Sequence, residues 1–123
     1  MIPTQLTGVV ADHIKAVNAL DTDAIVATFA EDAYVNDKHR EFVGRDAIRR
    51  WVDKEMVGDN VTIDVREVLD HNGDTIVRGA YDGTFDRTNL PEEIVLSNYF
   101  SVRDGKIVSL IVIFNRPADL SPS

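Results

Sequence analysis

Hydrophobic positions recur at helical spacing through the first half of this chain and at strand spacing through the second. Leu6, Val10, His13, Val17 and Leu20 follow alternating four- and three-residue steps, and Val9, Ile14 and Ala16 widen the stripe. That pattern predicts an amphipathic helix, with Thr4 placed to cap it. Asp21 or Thr22 is positioned to cap a second, shorter helix carrying Ile25, Val26 and Phe29, and Gly44 precedes a third that carries Ile48, Trp51, Val52 and Met56. Between them lies a short strand in which Ala33, Val35 and Asp37 share one face while Tyr34 and Asn36 take the other.

From Val61 onward the period falls to two. Residues 61–65 alternate, His71-Asn72-Gly73-Asp74 supplies a tight turn, and 76–85 forms the returning strand. A second hairpin pairs 93–103 with 106–115 around Asp104-Gly105, separated from the first by Leu90-Pro91-Glu92. Helices followed by antiparallel strands predict an α+β fold: three N-terminal helices packed on a curved, mostly antiparallel sheet that encloses a pocket. We expect one domain over residues 1–116 and a flexible tail over 117–123.

Composition narrows the function classes. A chain of 123 residues suits one compact domain. Thirteen basic against twenty-one acidic residues give a formal charge of −8, which repels phosphate backbones and anionic lipid surfaces, so neither nucleic acid nor membrane is an expected partner. Cys is absent, which removes disulfides and thiolate chemistry and is compatible with the cytoplasm. No signal peptide is visible at the start, and no apolar run approaches the length of a membrane span.

Three polar residues fall on faces that periodicity assigns to the interior, where a polar group needs a partner or a task. His13 lies in the middle of the first helical stripe, and its plain alternative is a satisfied core histidine. Asp37 ends the inward face of the short strand; alternatively it is a turn residue beside Lys38, His39 and Arg40. Asn98 shares its strand face with Ile94, Leu96, Phe100 and Val102, as a pocket group or a local structural hydrogen bonder. An apolar cleft with a few inward polar groups is the usual form of a site for a small hydrophobic ligand. Proton transfer suits this set: a carboxylate in an apolar pocket is made more basic by desolvation, and neutral His and Asn can donate to a developing oxyanion. Asp37 is then the base, with His13 and Asn98 the donors. Trp51, Tyr34 and Phe100 are candidate ligand contacts, Trp51 having core packing as its alternative. His39 forms only a lone Asp-x-His with Asp37, too few ligands for a metal, and the reading calls for no metal and no cofactor. Helix three's Arg45, Asp46, Arg49 and Arg50 read as a solvated face, and Tyr81 and Tyr99 as candidates for a dimer face.

The stretches His13-Ile14-Lys15-Ala16-Val17, Asp23-Ala24-Ile25, Phe29-Ala30-Glu31-Asp32-Ala33 and Gly44-Arg45-Asp46-Ala47-Ile48-Arg49-Arg50-Trp51, with Asp37 on the strand between, resemble the nuclear transport factor 2-like superfamily. Within it the likeness is to ketosteroid isomerases and SnoaL-like polyketide cyclases, over nearly the whole chain. The resemblance implies a cone-shaped α+β barrel with a deep pocket, assembled as a homodimer through the outer sheet face. It places Asp37 where ketosteroid isomerase keeps its general base, His13 where that enzyme has an oxyanion-hole tyrosine, and Asn98 where it has a protonated aspartic acid. With both acids replaced, what it implies is a cyclase or isomerase acting on a hydrophobic carbonyl compound, or a noncatalytic binding or interaction module on the same fold. Hydrolysis through an activated water is disfavoured, because no second inward carboxylate stands beside Asn98.

Overall fold

The computed structural model describes residues 2–86, 88, 90 and 92–114; the expected tail at 117–123 lies outside them. The elements run β1 (Ile2–Pro3), α1 (Gly8–Asn18), α2 (Thr22–Ala27), β2 (Phe29–Asp37), β3 (Arg40–Val43), α3 (Arg45–Trp51), a π-helix (Val52–Val57), β4 (Thr62–His71), β5 (Asp74–Asp82), β6 (Ile94–Arg103) and β7 (Lys106–Phe114). The strands form one seven-stranded sheet in the order β1-β4-β5-β6-β7-β2-β3. Only the β2–β7 pairing is parallel. The three expected helices pack on this curved sheet, so the α+β cone is present, with β1 and β3 as edges of an unclosed sheet.

The two predicted hairpins form where the sequence supplies residues that accept positive φ: Asn72 and Gly73 between β4 and β5, Asp104 and Gly105 between β6 and β7. Asp21, not Thr22, caps α2, its carboxylate accepting the Ala24 N–H at 3.1 Å. Thr4 does not cap α1. Its N–H donates to the Val68 carbonyl at 3.0 Å, because residues 2–3 pair with β4, and α1 begins only at Gly8, after Thr7.

Phe29 likewise leaves the helix assigned to it and opens β2. The Thr28 hydroxyl donates to Ile25 O at 2.6 Å and the Thr28 carbonyl accepts from Ile107 N–H at 2.9 Å, so the sheet takes over at that residue. A register shift between Phe29 and Tyr34 interrupts the β2–β7 ladder, and Arg45 donates twice to the Phe29 carbonyl there, at 3.0 and 2.6 Å. Arg45 is thus half-buried rather than part of a solvated face.

The core lies between the helices and the inner sheet face. Phe29, Ala33, Val35, Ile48, Val52, Val77 and Ile107 are all fully buried. β2 places Ala33, Val35 and Asp37 inward, as its alternation predicted. On β6, Ile94, Leu96, Asn98 and Phe100 point inward, but a register shift between Ser101 and Val102 turns Val102 out to solvent.

Candidate functional site

A cavity of about 210 Å³ opens between α1, α3, the π-helix and the inner face of the sheet. Cavities of about 150 Å³ admit benzene, so this one accommodates a ligand of one or two rings. Its apolar wall includes Met56, Leu96, Leu110 and Val112. His13, Asp37, Asn98 and Tyr81 supply the polar groups, and Lys38, Glu55, Asp59 and Asp86 also border it.

Asp37 is 8% exposed at the end of β2. Trp51 Nε1–H donates to its Oδ2 at 3.1 Å, and Arg40 Nη2 donates to the same oxygen at 2.9 Å. Arg40 stands directly opposite Asp37 in the β2–β3 register and also pairs with Glu55 of the π-helix. Trp51 is held in turn by stacking on Phe42, with ring centroids 5.8 Å apart. Among the described residues Oδ1 accepts no hydrogen bond, so one carboxylate oxygen is clamped and the other is left to the cavity that Asp37 lines.

His13 is buried between the rings of Phe29 and Phe100, whose centroids lie 5.4 and 5.3 Å away in edge-on contact. Its Nδ1 lies 3.1 Å from Thr28 Oγ1. The single hydroxyl hydrogen of Thr28 is already given to Ile25 O, so Thr28 can only accept and Nδ1 must be the protonated nitrogen. Nε2 therefore carries a lone pair. No described residue bonds it, and it is left as an acceptor for the cavity that His13 lines. Desolvation lowers the His13 pKa from 6.5 to about 4, which keeps the ring neutral. The expected donor role of His13 is reversed.

Asn98 is oriented by two neighbours. Its Nδ2 donates to the carbonyl of its cross-strand partner Val77 at 3.2 Å, which fixes the amide so that Oδ1 accepts the Tyr81 hydroxyl at 2.8 Å. One Nδ2 hydrogen remains for a ligand. Tyr81 is the site residue that sequence reasoning misplaced: it lines the cavity instead of an outer face, and burial pushes its hydroxyl well above the usual tyrosine range. The signal was the parity of β5, where Tyr81 stands two and four residues from the inward Gly79 and Val77.

The remaining candidates are dispersed. Phe100 is fully buried behind His13 and lines no part of the cavity. Tyr34 lies on the opposite face of β2, as its alternation with Asp37 requires, donating to Glu41 at 2.9 Å. His39 sits in the exposed β2–β3 turn, its N–H held by Asn36 Oδ1 at 2.9 Å. Among the described residues no three His, Asp or Glu side chains are grouped to hold a metal.

Residues 10–110 match the family model of the SnoaL-like domain. The chain belongs to the SnoaL-like family. Among solved structures, this SnoaL-like chain is similar to a Sinorhizobium meliloti protein assigned as a polyketide cyclase, with 28% identity, coverage of 85% of this chain and 93% of the other, and a TM-score of 0.76. It is also similar to SalBIII, an epoxide hydrolase/cyclase-like enzyme with a role in pyran ring formation in the polyether salinomycin, at 26% identity, 90% of each chain and a TM-score of 0.76. A Catenulispora acidiphila protein with a ketosteroid isomerase-like fold, in complex with trimethylamine, shares the fold at 18% identity, over 96% of this chain and 100% of the other, with a TM-score of 0.76. Comparison with functionally curated proteins finds no match. The SnoaL-like domain supplies the scaffold, and His13, Asp37, Tyr81 and Asn98 give its cavity an arrangement that the fold alone does not dictate.

Proposed function

We propose that this chain is an enzyme of the cyclase or isomerase type that moves a proton on a small hydrophobic carbonyl compound, with Asp37 as general base and acid. The observation that carries this reading is the asymmetry of the Asp37 carboxylate. Oδ2 is held by Trp51 and Arg40 while Oδ1 is left to the cavity, as a positioned base requires. Oδ1 takes the proton from carbon next to the carbonyl, and the free Asn98 N–H faces the oxygen that gains charge. Removing a positioned base typically lowers the rate by about 10²- to 10⁴-fold. Asp37→Asn keeps an acceptor for Trp51, so the expected outcome is loss of turnover on apolar cyclic ketones by about that factor with unchanged circular dichroism. Equal turnover by the variant would remove Asp37 from the chemistry.

A second reading has its own support. Tyr81, Trp51 and Nδ1 of His13 all give their hydrogens to protein acceptors, which leaves the Asn98 amide as the neutral donor for an oxyanion, beside Lys38 at the cavity border, and suits a noncatalytic ligand-binding or interaction module. Binding of the same ketones with no turnover by the unmodified protein is the result that selects it. Under either reading we take residues 1–116 as one domain working as a homodimer in the cytoplasm. The dimer is supported by exposed Ile111 and Ile113 on the outer sheet face, the location by the cysteine-free sequence.

A further inference from the structure

His13 Nε2 is an acceptor in a place where a hydrophobic ketone offers it nothing. The chain of hydrogen bonds leaves no freedom in this assignment: the Ile25 carbonyl takes the Thr28 hydroxyl hydrogen, Thr28 Oγ1 takes the Nδ1 hydrogen of His13, and Nε2 faces the cavity with a lone pair. Among the described residues no donor is bonded to that lone pair. Tyr81 cannot donate to it, because its hydroxyl hydrogen is held by Asn98 Oδ1, and the Asn98 amide cannot turn to release it while Nδ2 bonds the Val77 carbonyl. Trp51 is likewise committed to Asp37. A ligand that covers Nε2 with carbon leaves a buried acceptor without a partner, a loss that sites built around hydrogen bonds use to reject analogues lacking the matching group.

We propose that the ligand is a hydroxylated carbonyl compound, and that His13 is the specificity-determining residue that accepts its hydroxyl hydrogen at Nε2. This rests on the proposed reading of the cavity as a site for a carbonyl compound. It adds a second polar group to that ligand: the carbonyl oxygen belongs at Asn98, the acidic carbon at Asp37 Oδ1, and the hydroxyl at the imidazole. The Phe29 and Phe100 rings on either side of His13 keep water from competing along its flanks. A methyl ether at the same place brings an oxygen without a hydrogen and meets lone pair with lone pair.

The test uses the whole chain and a panel of 1-tetralone, its positional hydroxy isomers and their methyl ethers, with affinities measured by calorimetry. At least one hydroxy isomer is expected to bind about tenfold or more tightly than both its methyl ether and 1-tetralone, the step that one net hydrogen bond of about 1.4 kcal/mol gives. In His13→Phe, which keeps a ring between Phe29 and Phe100, that advantage should fall within about twofold. The ¹⁵N spectrum of the unmodified protein gives a readout independent of the variant's folding: His13 Nε2 should be unprotonated in the free protein and shift on adding the preferred isomer. No hydroxyl advantage, an advantage that survives His13→Phe, or a protonated Nε2 in the free protein would each overturn the proposal while leaving ketone binding intact. Failure of every compound to bind, 1-tetralone included, would overturn the carbonyl-compound reading with it.

Discussion

Burial of His13 makes one imidazole a term in the pH dependence of folding. Its pKa falls from 6.5 to about 4 because the packed ring loses its water and gains no anionic partner. In the unfolded chain the same ring titrates near 6.5. Above that pH neither state binds the proton and the full stability is present; below it the unfolded state binds a proton that the folded state refuses, so stability falls as pH drops, until the folded ring protonates near 4. The difference corresponds to roughly 3 kcal/mol. Urea unfolding at pH 7 and pH 4.5 should show a loss in the unmodified protein that exceeds the loss in His13→Asn by most of that amount. Other carboxylates titrate in the same window, but they are common to both proteins. Equal losses would show that the folded ring is not held neutral.

Elements that follow local rules were legible in the chain, and those that depend on distant partners were not. α1, α2 and both late hairpins carry their own periodicity, cap or turn residues. β3 carries none. The β2–β3 turn places Lys38 and His39 at φ of 52° and 74°, where Asn-Gly is the usual pair, and it is held by the Asn36 side chain on the His39 N–H. β1 exists because β4 offers it an edge. The π-helix is equally silent, since Val52 and Met56 are spaced as they would be in an α-helix, while Gly58 N–H and Val61 N–H each donate five residues back, to Asp53 and Met56. That wide turn carries Glu55 and Met56 to the cavity, and Gly58 permits its close: a Cβ there would fall onto the carbonyl oxygens of Lys54 and Asp53. Backbone carbonyls at a helix end have little room to move. Gly58→Ala is therefore expected to destabilise the fold by about 1–3 kcal/mol, read as a lower urea midpoint. A midpoint equal to the unmodified protein's would mean that the segment rewinds without loss.

Across the whole molecule, period two separates two faces that do different work. Inward parity picked out Asp37 and Asn98 correctly as cavity groups, and helical parity did the same for His13. Their roles stayed hidden because donor and acceptor assignments depend on Thr28, Tyr81 and Val77, which lie far away in sequence. On the outer face the same alternation puts Ile111 and Ile113 on β7 at 38% and 46% exposure, with Tyr99 directly across from Ile111 on β6. Two exposed isoleucines on one sheet face are unusual for a surface with no partner, and a twofold contact through them would bring Tyr99 into the same patch. A stable interface needs about 1,200–2,000 Å² in total, more than these side chains alone supply, so the proposed dimer would also use the neighbouring outer faces of β2 and β6. Carboxylates placed in the centre of such a contact lose their water and face one another across the twofold axis. If the proposed dimer forms through this face, the unmodified protein sediments as a dimer at micromolar concentration and Ile111→Glu with Ile113→Glu as a monomer. Leu110 and Val112 point to the other face, so ketone binding in the cavity should persist in the monomer. A wild-type protein that sediments as a monomer would assign the outer isoleucines to another partner, and ketone binding lost with the dimer would mean that the cavity is completed across the interface.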